Sequence, residues 1–168
     1  MQNDEFERGK QIAYRFLSYR PRSKKEVEKK LKEKNISGEN ISNIISLLEK
    51  NNYLNDREFT LNWLRYRMEN RPLGNRSLEY ELREKGIDSE IIKESLDEVY
   101  AGEFDEYEVA VRLAEKKMVS LKKGKMEHNV TKKRLFGHLQ RKGFSYDTIE
   151  RVVNNIFENS KHQAPNLK

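Results

Sequence analysis

Arginine and lysine gather where the chain's helices ought to break. Arg20, Arg22, Lys24 and Lys25 surround Pro21, and Arg65, Arg67, Arg71 and Arg76 surround Pro72. Lys122, Lys123 and Lys125 form a polar link, Lys132, Lys133 and Arg134 open the next helical stretch, and Arg141 and Lys142 close it. Cations beside a helix start suit phosphate or carboxylate, because the first amides there are unpaired and the helix dipole favours an anion. These residues are the candidate contacts to an anionic polymer or an acidic protein surface; solvated capping residues are the alternative. Tyr14, Tyr19, Tyr53, Trp63, Tyr66 and Tyr80 have faces on which bases of a single strand could stack. Trp63, at helical spacing from Phe59, is expected in the core, whereas Tyr66 between Arg65 and Arg67 is the stacking candidate.

Catalytic arrangements are not evident. His128, His138 and His162 have no metal-site spacing, and the chain has no cysteine to supply a thiolate. There is no Walker-type glycine loop and no G-x-S-x-G elbow. Carboxylates alternate with Lys and Arg, which reads as surface pairing rather than an acid/base dyad. The expectation is a protein without catalysis, metal or cofactor. No apolar run approaches the ~20 residues of a membrane span, and Met1-Gln-Asn-Asp-Glu-Phe6 lacks a signal-peptide core. A cytoplasmic protein is expected.

The elements that must hold these residues repeat three times. Leu31-Lys-Glu-Lys-Asn-Ile36, Leu82-Arg-Glu-Lys-Gly-Ile87 and Leu139-Gln-Arg-Lys-Gly-Phe144 are copies of one phrase. Val27, Leu78 and Leu135 precede its Leu by one helical turn, and Ile41, Ile92 and Ile149 follow its end in a common register. In the first copy, a helix over about 7–19 should bury Ile12, Ala13, Phe16 and Leu17 and stop at Pro21. Ser23 with Glu26 is a capping-box signature for a second helix. A third should run over 38–51 on Ile41, Ile44, Ile45 and Leu48. In the second copy Gly74 stands at Ser23's place as a weaker N-cap, and Gly86 suits a left-handed helix end. In the third, Thr131 stands where Ser23 stood.

The fold expected is all-α, an elongated tandem array of three three-helix repeats over 1–54, 55–102 and 103–160, followed by a disordered tail, 161–168. Repeat arrays present extended surfaces to large partners. A compact globule of this length would have a radius of gyration near ~15 Å, and an array a larger one. The net charge of +6 divides unevenly: 12 basic against 8 acidic residues over 1–54, 8 against 11 over 55–102, and 14 against 9 over 103–168. Basic ends suit an anionic polymer. The acidic middle, with Glu79, Glu81, Glu84, Glu90, Glu94, Asp97 and Glu98, either meets a basic protein surface or keeps the array soluble.

Several phrases together resemble the RecX family of bacterial RecA regulators: Arg20-Pro21-Arg22-Ser23 with Glu26, Asn52-Tyr53-Leu54-Asn55-Asp56 leading to Phe59, Gly74, Leu82–Ile87, and Leu139–Ser145. The resemblance spans about residues 8–158. It implies three-helix repeats lying in the groove of the RecA filament on single-stranded DNA and altering its ATPase, strand-exchange and coprotease activities, usually downward. The basic and tyrosine candidates above would then meet RecA or the strand, and the protein would act as a monomer with no membrane partner. Asn35, in place of the glycine of the other copies, and the basic link 122–129 depart from the common pattern. Two rivals remain open: a helical DNA-binding protein without RecA contact, and a helical scaffold for another protein.

Overall fold

Nine helices, α1 to α9, follow one another in three sets of three among the described residues. They are α1 (Gln2–Tyr19), α2 (Lys24–Glu33) and α3 (Gly38–Lys50); α4 (Asp56–Asn70), α5 (Asn75–Glu84) and α6 (Ser89–Gly102); α7 (Glu106–Lys122), α8 (His128–Arg141) and α9 (Tyr146–His162). The computed structural model describes residues 2–122 and 127–162, with side chains over 4–121 and 127–158. Lys123, Lys125 and residues 163–168 lie outside the described residues, as does the Lys122 side chain. No strand occurs among the described residues, so the fold is all-α.

Local chemistry explains the boundaries. The Ser23 hydroxyl accepts from the Glu26 amide at 3.2 Å while the Glu26 carboxylate accepts from the Ser23 amide at 3.1 Å, a complete capping box at the start of α2. Asp88 accepts from the Glu90 amide and starts α6. The second helix of each set ends in one motif. The amides of Ile36, Ile87 and Phe144 donate back to the carbonyls of Leu31, Leu82 and Leu139, a Schellman closure that needs a left-handed residue between. Asn35 (φ 56°), Gly86 (φ 78°) and Gly143 (φ 83°) supply it.

Two boundaries differ from those expected. α1 begins at Gln2 rather than near Glu7. Thr131 is not a cap: α8 starts one turn earlier at His128, and the buried Thr131 hydroxyl donates to the Glu127 carbonyl at 3.0 Å inside the helix.

In the first set Ala13, Val27, Leu31, Ile41, Ile44, Ile45 and Leu48 form a buried cluster, with Ile12, Phe16 and Leu17 only partly buried at its margin. In the third, Val109, Ala110 and Ala114 of α7 pack with Leu135, Leu139, Ile149 and Val153, and Leu113 is partly buried. Burial on these i, i+3, i+4 stripes is what holds helices this short and this charged. Packing gathers the chain into two compact units. One holds the residues up to Trp63 together with Glu81–Ser95; the other holds Leu64–Tyr80 together with the residues from Leu96 onward.

Candidate functional site

The helix starts proposed for anions are already occupied. At α2 the Lys24 amide donates to the Asp56 carboxylate at 2.8 Å, and the Ser23 hydroxyl donates to the Lys85 carbonyl at 2.6 Å. At α5 the Asn75 amide faces Glu106 Oε1 at 3.4 Å, the Gly74 amide donates to the Lys142 carbonyl at 2.8 Å and the Arg76 amide to the Gly143 carbonyl at 3.2 Å. The two starts are therefore used in the same way, each by an acidic residue opening the next set's first helix and by a carbonyl beside its left-handed glycine. A phosphate at either start would have to displace a carboxylate. Gly74 stands at the N-cap of α5, its carbonyl accepting from the Leu78 amide at 3.1 Å, and also serves close approach, because a Cβ there would run into the backbone of Gly143 and Phe144.

Within the first basic cluster, three of the four cations serve the fold. Arg20 donates to Glu26 at 2.8 Å and to the Pro21 carbonyl at 3.1 Å. Arg22 lies over the Phe16 ring at 4.1 Å and 3.6 Å from Glu26, and burial pushes its guanidinium below the ordinary value. Lys24 pairs with Glu49 at 2.9 Å. Lys25 is exposed, its stem crossing Gly86. It stands in register with Lys29 and Lys32, also exposed, at i+4 and i+7 on α2. With Lys24, Glu28, Asp56 and Gly86 these three line a concavity of about 420 Å³. Sequence reading had passed over Lys29 and Lys32; their one-face spacing was the available signal.

Lys85 was likewise missed. Its ammonium sits 4.1 Å from the Trp63 ring centroid, 5.8 Å from that of Phe59 and 4.0 Å from Glu26, and burial lowers its pKa. Trp63 itself is half-buried, stacked on Phe59 and donating its indole N–H to Glu81 at 3.2 Å, not enclosed in the core as expected. The cation and the acceptor hold it at the surface.

In the second cluster Arg65 binds the Glu103 carboxylate with both Nε (2.8 Å) and Nη2 (2.5 Å). Arg67 is half-buried, whereas Arg71 and Arg76 are exposed. Tyr66 is 51 % exposed, the presentation stacking requires. In the third, the extra turn of α8 moves Lys132, Lys133 and Arg134 away from the helix start, where no free amide accompanies them; all three are exposed, and Lys132 reaches Asn154 at 3.2 Å. Arg141 is exposed and Lys142 half-buried at the end of α8, near His138.

Beyond these cations, among the described residues no three His, Asp or Glu side chains converge as metal ligands, and no helix is long and apolar enough to cross a membrane.

Known proteins match this arrangement along most of the chain. Models for the first, second and third three-helix domains of RecX match residues 10–46, 55–96 and 105–153. The regulatory protein RecX of Bacillus subtilis (strain 168) is 40 % identical over 159 residues, covering 94 % of this chain and 59 % of its own length. That of Bacillus licheniformis is 38 % identical over 150 residues, covering 89 % and 56 %. This chain thus spans somewhat more than half the length of those relatives. The Prosthecochloris aestuarii protein of the same name is 33 % identical over 144 residues, 86 % of this chain and 90 % of its own. The crystal structure of RecX from Lactobacillus salivarius superposes with a TM-score of 0.81 at 29 % identity, over 93 % of this chain and 99 % of that one.

Proposed function

The chain belongs to the RecX family of regulatory proteins, and we propose on that premise that it binds the RecA filament on single-stranded DNA and lowers the filament's ATPase, strand-exchange and coprotease activities. The observation that carries the reading beyond the family is the Lys25, Lys29 and Lys32 face of α2. Its cations are exposed and make no ion pair with a described carboxylate, while Arg20, Lys24 and Arg65 are held by Glu26, Glu49 and Glu103. Uncompensated cations in register on a helix suit a regularly charged partner, whether DNA phosphate or the acidic surface of a filament. The protein acts by binding rather than catalysis, in the cytoplasm, as a monomer. Repeats over 1–54, 55–102 and 103–160 spread across more than one protomer would block groove access or disturb the protomer interfaces. Such an effect on ATPase requires tighter binding to one filament state than to another.

The test is the DNA-dependent ATPase of RecA, titrated with this protein beside sedimentation of the filament at the same salt. A falling rate with co-sedimentation, persisting in excess single-stranded DNA, is the expected result. An effect abolished by added DNA would favour a DNA-binding protein acting without RecA contact, and binding to neither would leave a scaffold for another protein.

A further inference from the structure

A cleft of about 610 Å³ opens in the first compact unit between the end of α1 with the link that follows it, the link between α3 and α4, and α4. Its lining includes Tyr14, Tyr19, Arg20, Tyr53, Asn55 and Asn62. Tyr19 is 71 % and Tyr53 57 % exposed, although both belong to a concave surface. Large aromatic rings left in water usually either pack against something or find a partner.

Both residues stand on hydrogen-bonded backbone. Tyr19 is the last residue of α1. Tyr53 follows Asn52, whose φ of 58° turns the chain so that the Tyr53 amide donates to the Leu48 carbonyl at 2.8 Å. The Tyr14 ring braces Tyr53 edge-on, with centroids 5.1 Å apart. Asn55 is anchored, its side-chain oxygen accepting from the Glu58 amide at 3.0 Å. The bracing leaves the Tyr53 ring little conformational freedom to lose when a flat ligand arrives.

We infer that this cleft takes bases of a single-stranded nucleic acid, stacked on Tyr19 and Tyr53, with Arg20 beside the backbone phosphate. Tyrosine faces accept any base, carboxamides such as that of Asn62 match base edges, and a cation at the rim meets phosphate. Arg20, although paired with Glu26, keeps 44 % of its side chain exposed and so can turn toward a phosphate at this rim. A duplex keeps its bases stacked internally and cannot offer their faces. This reading deepens the proposed function by naming where the strand is met, and it shares that proposal's premise that a strand is contacted.

The experiment compares the affinity of the full chain for a thymidine oligonucleotide, an abasic oligonucleotide with the same number of phosphates, and a duplex. It uses fluorescence anisotropy at fixed salt. The base-bearing strand should bind about tenfold tighter than the abasic one. Tyr19→Ala/Tyr53→Ala should abolish that preference while leaving abasic binding and far-ultraviolet circular dichroism unchanged, and Tyr19→Phe/Tyr53→Phe should restore it. Equal affinity for base-bearing and abasic strands, or a preference that survives the alanine pair, would overturn the inference. RecA co-sedimentation of the same variants separates the two proposals. Filament binding without any base preference leaves the proposed function standing and removes the cleft; base preference without filament binding does the reverse.

Discussion

The hydroxyl of Ser23 donates to the carbonyl of Lys85 at 2.6 Å, across 62 residues of sequence, while accepting from the amide of Glu26, three residues along. One atom thus starts a helix and joins the first set to the second. Gly74 meets the equivalent carbonyl of Lys142 with its backbone amide, having no side chain to offer. The two contacts show one docking register built with different chemistry.

Replacing Ser23 by Ala should cost about 2 kcal/mol, a lost N-cap combined with an unpaired acceptor at Lys85. Urea denaturation at pH 7 measures it. A loss under about 0.5 kcal/mol would mean that the bond to Lys85 contributes little.

The three left-handed helix ends should respond differently to substitution. A Cβ on Gly143 would lie 2.6 Å from the Ser77 amide nitrogen at a φ of 83°, so Gly143→Ala should cost about 3 kcal/mol. Asn35 holds the same backbone region with a side chain in place, and Asn35→Gly should be neutral or add up to about 1 kcal/mol. Paired thermal melts compare the two.

Acid should weaken the α2 start through Glu26. Burial pushes this carboxyl up, but the Ser23 amide, Arg20 and Lys85 more than offset that and hold it below its ordinary value of 4.5. A depressed carboxylate contributes stability above its unfolded pKa and loses it as pH falls through the folded one. Asp56, raised by burial, works in the opposite sense. Between pH 5 and pH 3, by rough reckoning from these carboxylate values, Glu26→Gln should therefore lose less stability than the unmodified chain. Identical slopes would mean that Glu26 is not the group responsible.

His138 reports on the third set's cations. Burial, then Lys117, Lys142 and Arg141, hold its imidazole below 6.5, so it is neutral at pH 7 and its protonation opposes folding. A phosphate arriving at Arg141 and Lys142 would offset that repulsion, and the His138 pKa should rise when single-stranded DNA is added. Histidine proton shifts followed by NMR give the answer; an unmoved titration would take Arg141 and Lys142 off the contact surface.

Charge reversal is best placed on α2. Arg20 and Arg22 both lie against Glu26 of the capping box, so reversing them would disturb the helix start as well as any interface. Lys25→Glu/Lys29→Glu/Lys32→Glu leaves the box intact and should weaken filament sedimentation about tenfold or more, with helicity preserved. Unchanged sedimentation would remove this face from the proposed function.

Much of this architecture was legible in the chain itself, because helical periodicity, the Ser23–Glu26 box and the recurring Leu-to-Gly phrase are local patterns acting over three to six residues. Most helix boundaries, the centres of the buried stripes and the left-handed positions at Gly86 and Gly143 follow from them, whereas the starts of α1 and α8 do not. Family membership was legible for the same reason, since its phrases keep their order and spacing. What tertiary structure alone decided is which polar groups are spent. Asp56 on the Lys24 amide, Glu106 on the Asn75 amide, Glu103 on Arg65 and Glu49 on Lys24 join residues 25 to 38 positions apart. Whether such a charge faces solvent or a partner depends on packing direction, which local spacing does not encode. The same reason separates Lys25, Lys29 and Lys32 from Arg20, and leaves Tyr19 and Tyr53 open in a cleft while Trp63 is claimed by Lys85 and Glu81.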